Sequence, residues 1–288
     1  MRYKKIYFAI SGIVIAIGLF SLLRFGFRLG LDFVGGAIAE YKISKEVNLT
    51  DLEGKIKEKG IEVQSVSQTN SGSYLFRLPP VPTEKKDEIA AVLKEIDPDS
   101  QELRFEIVGA SFGPELIKKT IYALSIAAGV ILIWVAIQFK SLKFGASAVL
   151  AMLHDSLVLI GVFALLGKLF GAEIDFLFVT AMLTTLSFSV HDTIVVYDRI
   201  REKQKKEGRD DLYNIANSAV SETMVRSLNN SFTIIFMLVA LTLLGGVTIR
   251  WFAIALLIGT VSGTYSSPFV AVPLLVTWDE FVKKIRKE

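Results

Sequence analysis

Cysteine is absent from this 288-residue chain, and histidine occurs only at positions 154 and 191. The first absence excludes a disulfide, a thiolate zinc site and a cysteine nucleophile. The second leaves haem and zinc chemistry without enough imidazoles, and no metal or other cofactor is expected. Charge is also scarce: 21% of residues are charged against 52% apolar, which is low and high for a soluble domain. The formal net charge of +3 says little; where the basic residues sit says more.

What the chain has in place of these is long apolar runs. Six candidate spans cover residues 6–23, 120–139, 144–167, 176–197, 227–249 and 251–278. Each holds about 18 residues or more, enough to cross ~30 Å of hydrocarbon at ~1.5 Å per residue. The first follows Lys4 and Lys5 as a secretory signal would, but Arg24-Phe25-Gly26-Phe27-Arg28 stands where a cleavage site needs small residues. It reads as an uncleaved span. The last contains Pro268 and Pro273 and is expected to kink or tilt, with Trp251 and Trp278 at its interfacial ends.

The loops orient these spans. Arg2, Lys4 and Lys5, then Lys140 and Lys143, then Arg199, Arg201, Lys203, Lys205, Lys206 and Arg209, then Lys283, Lys284, Arg286 and Lys287 all fall on one side of a six-span chain. The opposite short loops carry only Lys168 and Arg250. The positive-inside rule therefore places both termini in the cytoplasm of a multi-pass protein of the cell membrane. The expected division is a first transmembrane helix in residues 1–29, an outer domain in 30–115 and a five-helix membrane bundle in 116–288.

The outer domain has a readable pattern. Residues 36–44 alternate like a strand; Thr50-Asp51-Leu52-Glu53 is a capping box for a helix ending at Gly60; residues 61–66 alternate again. Asn70-Ser71-Gly72 predicts a turn to a hairpin partner over 74–78. Thr83 can cap a second helix to Ile96, and 102–108 is a last strand. That order, βαββαβ, predicts a ferredoxin-like α+β unit. Asn48-Leu49-Thr50 matches a glycosylation acceptor, but the threonine is better used as the cap. Residues 211–226 have helical apolar spacing and predict a surface helix that bends into the fifth span.

Polar residues inside spans are costly, and they tend to mark partners, cavities or ion paths. Asp192 stands in the fourth span, six residues before Asp198 and so roughly 9 Å from its cytoplasmic end. Thr184, Thr185, Ser187, Ser189, His191 and Thr193 surround it in sequence, and Arg226 opens the fifth span from the same side. Asp192 is either a member of a structural ion pair or a proton carrier; its cost in hydrocarbon favours the carrier. Arg226 is long enough to reach inward to it. His154-Asp155 in the third span reads as interhelical hydrogen bonding. A hydrolase would need more converging ligands than the chain offers. Gly259, Ser262, Gly263, Ser266 and Ser267 of the sixth span are accounted for by close helix packing. Residues 161–169 imitate a phosphate loop, but with one residue too many and no Ser or Thr after Lys168.

Together these residues resemble the SecD/SecF family of the resistance-nodulation-division superfamily, over essentially the whole chain. Gly30, Asp32, Gly35 and Gly36 match its signature after the first span; Asp192-Thr193 through Asp198-Arg199 match its fourth-span motif; Arg226-Ser227 and Gly263-Thr264-Tyr265-Ser266-Ser267 match those of the fifth and sixth. His191, Tyr197 and Lys203 depart from the family pattern, and of these only His191 bears on mechanism. The short outer domain favours the SecF branch over the larger SecD. The resemblance implies a transport subunit with no catalytic residues. It implies SecD as partner, the SecYEG channel alongside, and YajC and YidC as further candidates. Exported unfolded polypeptides are the implied client, the proton gradient the energy source, and nucleic acid no part of it. It also ties Asp192 and Arg226 to proton movement, with His191 and Thr193 beside them. The readings that compete are a stand-alone small-molecule exporter and a non-conducting scaffold.

Overall fold

A computed structural model describes residues 1–44, 48–68, 72–79, 85–108, 112–207 and 212–285. The chain divides into two compact units, residues 29–121 and the remainder, 1–28 with 122–288.

The smaller unit opens with a single turn of helix, α1 being the membrane helix Lys4–Phe25 and α2 this turn, Leu31–Val34. There follow β1 (Gly36–Lys42), α3 (Leu49–Glu58), β2 (Ser65–Gln68), β3 (Tyr74–Leu78), α4 (Lys85–Ile96) and β4 (Gln101–Val108). The sheet order is β2-β3-β1-β4, and every neighbouring pair is antiparallel. This is the ferredoxin-like plan that the alternation predicts. Period-two side chains explain it: Ala37, Ala39 and Tyr41 of β1 face Leu78, Phe76 and Tyr74 of β3 in register. All six are buried against Leu52 and Ile56 of α3 and Ile89 and Leu93 of α4.

The glycine pair after α2 has a steric cause. Gly35 and Gly36 have φ of +75° and +135°, which L side chains rarely adopt. A Cβ on Gly36 would lie 2.5 Å from the Leu78 carbonyl oxygen and 2.9 Å from Leu31 Cδ1. Gly30 supplies the carbonyl that accepts the Phe33 and Val34 amides, and Asp32 sits half-buried in the turn between them. Here the signature builds the corner that starts the sheet.

Two boundaries differ from expectation. The helix α3 begins at Leu49, so Asn48, not Thr50, precedes its first turn, and its carbonyl accepts the Leu52 amide. Asn caps at least as well as Thr. Residues 61–64 are not a strand. Gly60, at φ +80°, ends the helix by letting the Ile61 amide return to the Ile56 carbonyl, and Ile61 and Val63 are used as core plugs. The predicted turn residues Asn70 and Ser71 and the cap Thr83 lie outside the described residues; Gly72 has the positive φ a turn needs. A fragment of residues 29–121 is expected to fold alone with mixed α/β circular dichroism and protected amides on β1 and β3, since its core closes on itself. A disordered fragment would contradict this.

In the larger unit the remaining helices are α5 (Phe112–Gln138), α6 (Leu142–Phe170), α7 (Phe176–Glu207), α8 (Leu212–Leu244), α9 (Val247–Ser266) and, after a π-turn at Ser267–Ala271, α10 (Val272–Ile285). Six helical stretches are long and apolar enough to span, as expected. The predicted interruption of the last falls at Pro268, which has no amide to donate, and a wider turn absorbs the loss. The predicted bend before the fifth span is absent: α8 runs unbroken from Leu212, because no Gly or Pro occurs before Gly245. The helix α7 likewise runs well past Tyr197 through the helix formers Arg, Glu, Lys and Gln. The loop end at Arg209 and the tail residues Arg286 and Lys287 lie outside the described residues.

The interior belongs to α6, α7 and α9, which are about half buried, whereas α1, α5 and α8 are mostly exposed. Gly18 of α1 crosses Gly161 of α6 so closely that a Cβ on Gly18 would lie 3.0 Å from Gly161 Cα. Gly263 of α9 packs on Ser189 of α7, where an added Cβ would meet Ser189 Cβ at 3.1 Å. Small residues at crossings let helix backbones approach in a membrane.

Candidate functional site

Asp192 projects from α7 into the bundle and is 4% exposed. Ser227 of α8 faces it, its hydroxyl 2.7 Å from Oδ1 and 2.8 Å from Oδ2. Thr193 Oγ1 donates to its own helix at the Ser189 carbonyl and lies 3.0 Å from Oγ of Ser267, at the π-turn. The carboxylate is therefore held by a hydroxyl, which can turn to donate or accept.

Arg226 does not meet it. The side chain is exposed on α8, one residue from Ser227 and so about 100° around the helix. Asn229 and Asn230 share that exposure. The expected Asp192–Arg226 pair is replaced by Asp192–Ser227, because the buried face of α8 is set by Ala219, Thr223, Ser227 and Ser231, at four-residue spacing. His191 is exposed as well and donates to no carboxylate among the described residues.

A second carboxylate lies nearby. Asp155 of α6 is 4% exposed and accepts three hydroxyls, each at 2.6 Å: Ser189 of α7, and Ser262 and Ser266 of α9. His154 Nδ1 is 3.1 Å from Asp155 Oδ1. The predicted interhelical bonding of this pair is thus present. The small residues of the last span need correcting: Gly259 and Gly263 serve packing, but Ser262 and Ser266 hold a carboxylate. Sequence reasoning missed them because serine in a tight helix crossing and serine at a carboxylate look alike. Their spacing of four on one helix face was the available signal.

The run from Gly263 to Ser267 touches every helix that matters here. Gly263 admits α7; the Thr264 hydroxyl donates to Ser231 of α8 at 2.7 Å; Tyr265 donates to the Tyr7 carbonyl of α1 at 3.2 Å; Ser266 reaches α6; and Ser267 reaches Thr193. At the far end of α7, Arg199 binds Glu222 of α8 at 2.5 Å and Glu202 on its own helix, also at 2.5 Å. Asp198 pairs with Arg201, and Lys203 with Glu222. Tyr197 is fully buried with its hydroxyl 2.7 Å from Ser147 and 3.2 Å from the Ala271 carbonyl, so this departure from the family pattern adds bonds between α6, α7 and the π-turn.

Among the described residues no group of three acidic, histidine or cysteine side chains converges as a metal site.

The description "Protein export membrane protein SecD/SecF, C-terminal" matches residues 88–281, and the SecD/SecF GG motif matches 20–47, around the glycine corner described above. The chain belongs to the SecD/SecF family. Among SecD/SecF relatives it is 41% identical to the protein translocase subunit SecF of Thermobaculum terrenum, covering all of this chain and 96% of that one. Against SecF of Haemophilus influenzae identity is 35%, over 95% of this chain and 84% of that one. It is also similar to the crystal structure of SecDF, a translocon-associated membrane protein from Thermus thermophilus, with a TM-score of 0.85 and 31% identity. That match covers 97% of this chain but only 38% of the longer SecDF chain.

Proposed function

We propose that this SecD/SecF protein is a membrane subunit of Sec protein export. Joined to a SecD partner beside the SecYEG channel, it uses the proton gradient to draw unfolded polypeptides outward, and it works in the cell membrane with both termini cytoplasmic. YajC and YidC are further candidate partners. No cofactor or catalytic residue enters this reading. The observation that carries it is Asp192, a carboxylate buried in a membrane bundle and held by the Ser227 hydroxyl, in a chain similar to SecF proteins over its whole given length.

A hydroxyl suits a carrier. Ser227 donates to the anion and can turn to accept from the protonated acid, so both states find a partner. Arg226 is the proposed cation of the cycle. It follows that a rotation of α8 by about 100° would exchange Ser227 for Arg226 at Asp192. One proton crossing ~100 mV is worth ~2.3 kcal/mol, enough to bias such a two-state element. Inverted vesicles with and without the chain test the reading. Export that rises with a proton gradient only where the chain is present supports it, and an equal rise without the chain overturns it.

Topology is tested by single cysteines on this cysteine-free background. An impermeant thiol reagent added to intact cells, with the outer barrier opened, is expected to label Glu62→Cys and to spare Lys205→Cys. The reverse pattern would invert the orientation.

A further inference from the structure

The Asp192 relay leaves the other buried carboxylate without a role. Asp155 has four groups aimed at about four lone-pair sites: the hydroxyls of Ser189, Ser262 and Ser266, and His154 Nδ1. If the carboxyl takes up a proton, it becomes a donor, and either His154 Nδ1 or one of the three serines must accept from it. The site is therefore sensitive to one proton.

His154 supplies a way in. The residue is 7% exposed, and its Nε2 is buried without a hydrogen-bond partner among the described residues. A polar atom so placed costs free energy unless something outside the protein fills it. The ring lines a cleft of about 470 Å³ between α1, α6 and α9, whose walls include Val14, Val158, Val162 and Val261. Its Nδ1 meets Asp155, and its Nε2 is the buried nitrogen without a partner among the described residues. Tyr265 of α9 is the titratable neighbour of the ring, with centroids 6.4 Å apart; α1 presents Ser11 to the cleft and α7 presents Ser189 to the carboxylate.

We propose that His154 and Asp155 form a second proton-binding site of the bundle, loaded from the α1–α6–α9 cleft. A hydronium in the cleft gives its proton to Nε2 and leaves as water. The imidazole releases its Nδ1 proton to Asp155 Oδ1 and is left as the other tautomer, so one proton has moved, and the reverse step resets the ring. Ser266 then loses its anionic acceptor. Ser189 binds Asp155 through its hydroxyl while its carbonyl accepts from Thr193 and Ser267. Ser266 and Ser267 lie at the π-turn, where the helix is already irregular.

Infrared difference spectra of the full chain in lipid nanodiscs, taken as pH is stepped, read buried carboxyls directly by the carbonyl stretch of the protonated acid. The expected result is a titrating band that loses one component in Asp155→Asn and a different one in Asp192→Asn. Ser266→Ala is expected to move the midpoint of the Asp155 component. A band unchanged by Asp155→Asn in a protein of native circular dichroism overturns the site. Should Asp155→Asn fail to fold, His154→Gln decides: the Asp155 midpoint is expected to shift, and an unchanged midpoint overturns the dyad. Because the readout is a titration and not export, it stands or falls apart from the export assay.

Discussion

Asp192→Asn is expected to abolish the gradient-driven part of export while leaving the bundle folded. The amide keeps the shape of the carboxyl and one acceptor oxygen for Ser227, which sits 2.7 Å away. It removes the charge, and a neutral group is cheaper to bury in hydrocarbon, so instability would not account for lost activity. The loss should be large. A proton moving across ~100 mV contributes ~2.3 kcal/mol, which at ~1.4 kcal/mol per tenfold step is a bias of roughly 50-fold between two conformations. The variant forfeits that bias entirely. Export into inverted vesicles, with and without a gradient, measures it alongside protein level. A full gradient-driven increment in Asp192→Asn would make the residue structural. Arg226→Lys is expected to reduce the increment, since lysine lacks the planar fork that holds a carboxylate. His191→Asn is expected to be mild, because the imidazole is exposed and holds nothing.

Gly161→Leu is expected to destabilise the bundle. A Cβ on Gly161 would overlap Gly18 Cα of the facing helix, and both neighbours are backbone, which cannot swing aside. The helices α1 and α6 must separate, losing the close packing that holds membrane helices together. Overpacking of this kind costs about 1–3 kcal/mol, a fall of several degrees in the melting temperature at roughly 2–4 °C per kcal/mol. Gly12→Leu is the control. It lies on the same first helix, but an added Cβ there meets nothing within 4 Å, so its melting temperature should match the parent. Equal melting of the two variants in detergent would mean that α1 does not cross α6 at this point.

Much of this molecule is legible without coordinates, for reasons of solvent. Apolar runs of span length and the alternation in 36–44 and 74–78 are local consequences of burying side chains at period 3.6 or 2, and both are carried by residue order alone. The glycine corner at Gly35-Gly36 is local too, since φ belongs to a residue. A carboxylate in a run of apolar residues, as at Asp192 and Asp155, also announces itself by cost. The boundary errors at Thr50 and at 61–64 came from competing local signals of nearly equal strength, two candidate caps in the first case and a helix-ending glycine beside a strand-like pattern in the second.

What the sequence by itself determined was the membrane class, the six spans, the βαββαβ unit and the identity of two costly acids. Only the tertiary structure decided which groups answer those acids. Arg226 and Ser227 are neighbours in sequence, and charge alone selects the arginine for Asp192; the packing of α8 turns the serine inward instead. Ser262 and Ser266 read as packing residues until α6 is laid against them, and then they are donors to the buried Asp155 carboxylate. The physical reason is that rotation of a helix about its axis is fixed by its neighbours, and a single residue of rotation, about 100°, exchanges one partner for another.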